Sequence, residues 1–124
     1  MAYMGDYSRS VRAQIAEDEG ALPASRINQA WLNENGIDEK VTFVKWLIRT
    51  GQIQTDEWHH TSARFNRTYY WYPEVIKEEL SCIDLDRARR FWALPTAERP
   101  RTADDWFHLV HLAVMGRPHP LWNS

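Results

Sequence analysis

The chain has few of the residues that would cross-link it, span a membrane or give it a strong overall charge. Its 124 residues include a single cysteine, Cys82, which excludes an internal disulfide and a zinc site built from several thiolates of one chain. The longest apolar run is interrupted by His108 and His111 and is far too short to cross a bilayer. A formal net charge of −2 is not that of a globally basic nucleic-acid binder. We therefore expect stability to come from packing.

The N-terminal stretch carries acidic residues and lacks the succession of cationic, apolar and small residues that marks a secretory signal. The chain is therefore predicted to stay in the cytoplasm, without membrane contact. Hydrophobic residues make up 44% of the sequence and aromatic residues 13%, which is ample for one buried core. This length and composition predict a single domain over residues 1–124.

Capping residues, terminators and apolar spacing predict a mainly helical chain. A first helix is predicted over about residues 8–19, a second from Pro23 to the Asn35-Gly36 terminator, and a third from the capping residue Asp38 to Gly51. Further helices are predicted to begin at Pro73, at the cap Asp84, and at Thr102, which forms a capping box with Asp105. The last of these is almost wholly apolar and ends at Gly116.

Between the third and fourth helices, β-favouring residues predict strands over 53–60 and 68–72, joined as a hairpin. The fold class is therefore α+β, a mainly helical domain with one β-hairpin. The order helix, turn, helix, hairpin is also that of a winged-helix DNA-binding domain. In that alternative the third helix would enter the major groove, although only Lys40, Thr42, Lys45 and Arg49 offer polar side chains there.

The segment Asp56–Tyr72 concentrates the residue types that bind or catalyse. Two of the five histidines and three of the five tyrosines lie in it. Adjacent strand residues point to opposite faces, so His59 and His60 serve one site only if the strand bulges. The predicted hairpin has an aromatic side chain on one face and arginines at its tip, and this combination favours a binding role over a catalytic one. The predicted binding residues are Trp58, His59, His60, Arg64, Arg67 and Tyr70.

A catalytic alternative uses the histidines. His59 or His60 would act as acid or base in a small hydrolase or nuclease, with zinc held by Asp104, His108 and His111, which follow one stripe of the last helix. That stripe is more typical of a solvent-facing polar edge on an apolar helix, or of a core histidine at position 108 that bonds to Asp104 and a carbonyl. We predict no resident metal or cofactor and assign no catalytic residue.

Two short blocks of the sequence resemble a known group of proteins. The opening Tyr3–Ser10 (Tyr-Met-Gly-Asp-Tyr-Ser-Arg-Ser) and the central Glu-Trp-His-His-Thr-Ser, followed by Asn66, Thr68 and a tyrosine run, resemble small proteins encoded by bacteriophages and prophages. The resemblance covers about a fifth of the chain and assigns no activity or site residue. It implies a phage accessory gene, for which interference with a host machine or regulation of phage genes is the expected role.

The favoured hypothesis is a non-catalytic binding protein that occupies, and thereby inhibits, a host protein or nucleoprotein complex, such as a defence system. Tryptophan, tyrosine and arginine dominate the energetics of such interfaces, and the chain has seven tryptophans in 124 residues. Direct contact with nucleic acid is a further expectation, drawn from the arginines at the hairpin tip.

Overall fold

The computed structural model describes residues 4–56, 58–60 and 67–123, and for residues 4–10, 58–60 and 67 it describes the backbone alone. The helices of this part are α1 (Met4–Asp18), α2 (Gln29–Glu34), α3 (Val41–Arg49), α4 (Pro73–Cys82), α5 (Leu85–Trp92) and α6 (Ala103–Val114). The strands are β1 (Leu22–Pro23), β2 (Trp58–His60) and β3 (Arg67–Trp71). A mainly helical α+β fold with a β-hairpin is therefore confirmed. None of the described helices is both long and apolar enough to cross a membrane.

The chain divides into two compact units. Unit 1 comprises residues 1–38 and 55–78, and unit 2 comprises residues 39–54 and 79–124. Helix α4 begins in unit 1 and ends in unit 2. The single domain expected over 1–124 stays a prediction, and the two units are described separately below.

Unit 1 is built around a small antiparallel sheet in the order β1-β3-β2. Strand β3 pairs with β2 through Trp58↔Tyr69 and His60↔Arg67, and with β1 through Leu22↔Trp71. Ala16 of α1 packs with Ala21 and Tyr70 in its core. The Trp31 indole donates a hydrogen bond to the carbonyl of Gly20, 3.2 Å away. Helix α1 is thus fastened to the sheet and to α2.

The second predicted helix was placed too early. Pro23 lies in β1 and precedes only a single-turn 3-10 helix over Ala24–Arg26, and α2 begins after Asn28, whose side chain accepts a hydrogen bond from the Trp31 amide. An edge strand tolerates proline because one side of it needs no N–H donor. Pairing with β3, which sequence spacing does not show, therefore overrides the helix-starting tendency of Pro23. The terminator Gly36 is confirmed by its φ of +75°.

Two other predicted boundaries were wrong. Helix α3 starts at Val41 with Lys40 at the cap position and no side-chain cap bond, so Asp38 does not cap it. The strand predicted from residue 53 covers Trp58–His60 in the described part of the chain. Ile53 is instead a buried core residue, and its amide bonds to the carbonyl of Leu47 at the end of α3.

Unit 2 has an aromatic core. The ring of Phe91 on α5 makes edge contacts with Trp106 on α6 and with Trp122, at centroid distances of 5.4 and 6.1 Å. Trp46 on α3 stands edge-on to Trp106 at 6.1 Å. Both caps predicted in this unit are confirmed: Asp84 accepts from the Arg87 amide, and Thr102 forms a full capping box with Asp105.

Candidate functional site

The first candidate site is the β2–β3 hairpin. The register runs without interruption through three pairs, Trp58↔Tyr69, His59↔Thr68 and His60↔Arg67. Uninterrupted antiparallel pairing alternates positions between the two faces. The positions of His59 and His60 are therefore on opposite faces, as expected from the sequence, and no bulge occurs in these pairs.

Tyr70, one of the predicted binding residues, is buried. Only 7% of its surface is exposed, and the side chain packs against Ala16 and Ala21. Burial raises the pKa of its hydroxyl, and the Glu17 carboxylate adds to this effect. Tyr69 is 43% exposed. Because successive strand residues face opposite ways, the buried face of β3 takes Tyr70 and leaves Tyr69 as the tyrosine available to a partner.

The remaining residues of the predicted hairpin site are described less fully. Trp58, His59, His60 and Arg67 are placed by their backbone in the sheet. Arg64 lies outside the described residues. Their role in binding stays a prediction.

The proposed metal stripe on α6 is not assembled into a metal site. His108, His111 and Asp104 are all exposed. Within residues whose side chains the structure describes, no three histidine, cysteine, aspartate or glutamate side chains come together to hold an ion. One stripe of a helix can supply metal ligands from one side only. Among the side chains that the structure describes, none from another element completes the set.

Helix α6 and the residue that follows it expose apolar side chains. Val114 is 79% exposed, Met115 60% and Phe107 52%. Positions 107, 111 and 114 share one side of a helix because they are four and three residues apart. We call Phe107, His111, Val114 and Met115 the α6 stripe. The buried residue of this helix is Trp106.

Two of the three arginines on α5 hold the C-terminal segment. Arg87 donates from Nε to the carbonyl of Trp122 at 2.7 Å and lies 4.2 Å from the centre of that ring. Arg90 donates to the carbonyls of Leu121 and Trp122. Arg89 pairs with Glu39. These guanidinium groups are therefore largely occupied by the protein itself.

A cavity of about 610 Å³ lies in unit 2 between α3 and the segment 92–101. We call it the arginine cavity. Its walls combine three cationic, two indole and two hydroxyl side chains with one proline: Arg49, Arg99, Arg101, Trp46, Trp92, Thr42, Thr96 and Pro100. None of these lining residues is acidic.

The segment over this cavity is held in place by hydrogen bonds. The Trp46 indole donates to the Pro100 carbonyl at 2.7 Å, from a buried position. Arg99 donates from Nη2 to the Leu94 carbonyl, and Arg101 donates from Nη2 to the Thr96 carbonyl. The two arginines are thus positioned by backbone carbonyl acceptors.

A second cavity of about 460 Å³ shares Arg99, Pro100 and Arg101 with the first. It also contains the acidic side chains of Glu98, Asp104 and Asp105. The Asp105 carboxylate accepts from the amides of Arg101 and Thr102 at 2.8 and 3.1 Å. These backbone hydrogen bonds hold the pKa of Asp105 below its usual value of 3.8. The second cavity is therefore of mixed charge, in contrast to the arginine cavity.

The lowered pKa of Asp105 predicts a pH dependence of stability. A carboxyl whose pKa is lower in the folded state stabilises the fold above its unfolded pKa, and that stabilisation is lost as the pH falls through the folded value. Asp105→Asn should therefore lose less stability than the unaltered protein when the pH is lowered from neutral to below 3.8. Urea unfolding at a series of pH values measures this. Asp104→Asn, at the exposed neighbouring position, is the matched control, and equal acid sensitivity in Asp105→Asn and the unaltered protein would contradict the prediction.

Sequence reasoning missed the residues of the arginine cavity. Arg49 was singled out only as a DNA contact, and Trp46, Trp92, Arg99 and Arg101 were not singled out. The signal available was weak: Thr42, Trp46 and Arg49 follow helical spacing on α3, and Arg99 and Arg101 flank Pro100. Their convergence needs a contact between Trp46 and Pro100 across 54 positions of sequence.

Comparison of the chain with protein-family models, curated proteins and solved structures finds no match, so its function has to be inferred from its own residues.

Proposed function

We propose that this protein works by binding another protein, as a phage accessory protein that occupies and inhibits a host protein or nucleoprotein complex in the cytoplasm of the infected cell. The observation that carries the proposal is the α6 stripe. Folded monomers seldom leave a contiguous group of large apolar side chains in water without a use for it. The resemblance to phage-encoded proteins supports the infected host as the source of the partner.

The α6 stripe suits a protein partner because of its composition. Phe107, Val114 and Met115 supply apolar area, and His111 supplies a polar group among them. Interfaces typically bury an apolar centre inside a polar rim. The rim is provided by exposed neighbours such as His108 and Arg117.

The hairpin offers a second contact surface in unit 1. Tyr69 is exposed on it, and Val11 and Ile15, four residues apart on α1, are also exposed. Trp58, His59, His60, Arg64 and Arg67 remain candidates there.

The test of the α6 stripe is capture of a partner from lysate of the natural host. The double variant Val114→Lys with Met115→Lys should weaken capture by at least about tenfold, because a charged group at the centre of an interface must be desolvated. Ser25→Lys with Ala30→Lys adds the same charge at exposed positions of unit 1 and should leave capture unchanged. Capture that is equally strong with both double variants would rule out the α6 stripe.

A third variant separates the two surfaces. Trp58→Ala, Arg64→Ala and Tyr69→Ala together remove the aromatic and cationic groups of the hairpin, and leave the buried Tyr70 in place. If only this variant loses capture of the partner, the binding site is the hairpin and not the α6 stripe. If the intact protein captures no reproducible partner, the proposed function is wrong.

A further inference from the structure

The arginine cavity has the charge and the surfaces of a ligand site. Among its lining residues the positive charges of Arg49, Arg99 and Arg101 meet no carboxylate. An arginine stays charged at any physiological pH, so these groups repel one another unless an anion lies between them. Arg101 is partly offset by Asp105, whose pKa its charge helps to lower. Arg49 lines the arginine cavity alone, whereas Arg99 and Arg101 also line the second cavity with its acidic side chains.

Arg99 has a donor without an acceptor. Its Nε is buried and has no hydrogen-bond partner, while Nη2 is used by the Leu94 carbonyl. Among the side chains that the structure describes, the Nε of Arg99 is the one buried nitrogen or oxygen atom that lacks a hydrogen-bond partner. Buried donors in folded proteins are almost always paired, and an exception calls for a ligand, an ion or a water. Arg99 thus keeps one donor for the oxygen of a ligand, an ion or a water.

Arg49 is placed to act with Arg99. It lies in the last turn of α3, seven residues after Thr42, so both side chains share one side of the helix and both line the cavity. Its side chain is exposed and forms no ion pair with the described residues. An exposed arginine beside a half-buried one held by the Leu94 carbonyl suits the recognition of an anion that enters from solvent.

The tryptophan side chains that line the cavity indicate which class of anion it binds. Trp92 is half-buried, packs on Phe43 at 5.1 Å, and lies 5.7 Å from the Arg99 guanidinium. Indole faces stack with nucleobases, and guanidinium groups form paired hydrogen bonds with phosphate. Threonine hydroxyls such as those of Thr42 and Thr96 are common donors to phosphate and sugar oxygens. A simple inorganic anion would use the arginines and leave the indole wall without a role.

We propose that the arginine cavity binds a nucleoside phosphate, with the phosphate between Arg49 and Arg99 and the base against Trp92. A volume of about 610 Å³ is within the range of small-ligand sites. The nucleoside phosphate is either a free nucleotide or an unpaired residue of a nucleic-acid strand, since both present the same group. This site is separate from the α6 stripe and does not rest on the proposed function.

Titration calorimetry of the full chain with AMP tests the proposal, with adenosine, inorganic phosphate and a short single-stranded oligodeoxyadenylate as the other ligands. AMP should bind more tightly than adenosine or phosphate alone. Arg49→Ala should weaken AMP binding by at least about tenfold, since a charge-assisted hydrogen bond is lost. Arg26→Ala removes an exposed arginine that does not line the cavity, and should have no effect.

Arg99→Ala should act in the same direction as Arg49→Ala. If Arg99→Ala unfolds the segment, the exposed Arg49 still decides the question. If the oligonucleotide binds at least about tenfold more tightly than AMP, and Arg49→Ala weakens both to the same extent, the natural ligand is a nucleic-acid strand. If it does not bind more tightly, the natural ligand is a free nucleotide. Absence of AMP and oligonucleotide binding at millimolar concentration, binding unchanged by Arg49→Ala, or phosphate binding as tight as AMP binding would overturn the proposal.

Discussion

Phe91→Ala is expected to lower the free energy of unfolding by about 3–5 kcal/mol, the usual cost of removing a buried aromatic ring. Phe91 is 1% exposed, and its ring contacts Trp106, His119 and Trp122 at centroid distances of 5.0 to 6.1 Å. The substitution removes the centre of this group and leaves a cavity that rigid indoles cannot easily fill. Because small proteins have only about 5–15 kcal/mol of stability in total, the effect should be visible as a large loss of folded protein.

The contacts of Phe91 explain why a large loss is expected. The segment after α6 has little regular structure of its own, and it is held by Arg87 and Arg90 and by the packing of His119 and Trp122 on Phe91. Removing the ring therefore affects α5, α6 and this segment together.

Urea unfolding followed by circular dichroism measures the loss. Phe107→Ala is the matched control, since it deletes the same ring from a half-exposed position and should cost well under half as much. A loss below about 1 kcal/mol for Phe91→Ala would mean that the centre of unit 2 lies elsewhere.

Trp46→Phe is expected to cost about 1–3 kcal/mol through a single hydrogen bond. The Trp46 indole donates to the Pro100 carbonyl at 2.7 Å from a buried position. Phenylalanine keeps an aromatic ring beside Phe43 and Trp106 but has no donor. The carbonyl of the buried Pro100 then has to remain unpaired or move towards water, and either outcome costs free energy.

The same substitution should loosen the segment that presents Arg99 and Arg101, because the Trp46 indole fastens it to α3. The measurement is again the free energy of unfolding in urea. Trp92→Phe is the comparison, since Trp92 is a half-buried indole for which the structure shows no side-chain hydrogen bond. A loss for Trp46→Phe no larger than that for Trp92→Phe would show that the hydrogen bond to Pro100 contributes little.

Local chemistry determined much of this fold from the sequence alone. The caps Asp84 and Thr102 and the terminators Gly36, Gly51 and Gly116 lie where spacing placed them, and each of these glycines has a positive φ. These signals are readable because a helix end is decided by a few neighbouring residues, whose hydrogen bonds and backbone angles depend little on the rest of the chain. The alternation of His59 and His60 between faces was likewise predictable from strand geometry.

Contacts between distant residues decided the rest. Pro23 starts no α-helix because it pairs with β3, almost fifty positions later. The Tyr70 side chain is buried and that of Tyr69 exposed because one face of β3 packs inside unit 1. The arginine cavity exists because α3 meets a segment that begins more than forty residues after it ends. The sequence by itself determined where several helices end, whereas only tertiary packing decided which side chains are covered and which converge, because burial and convergence depend on partners far away in the chain.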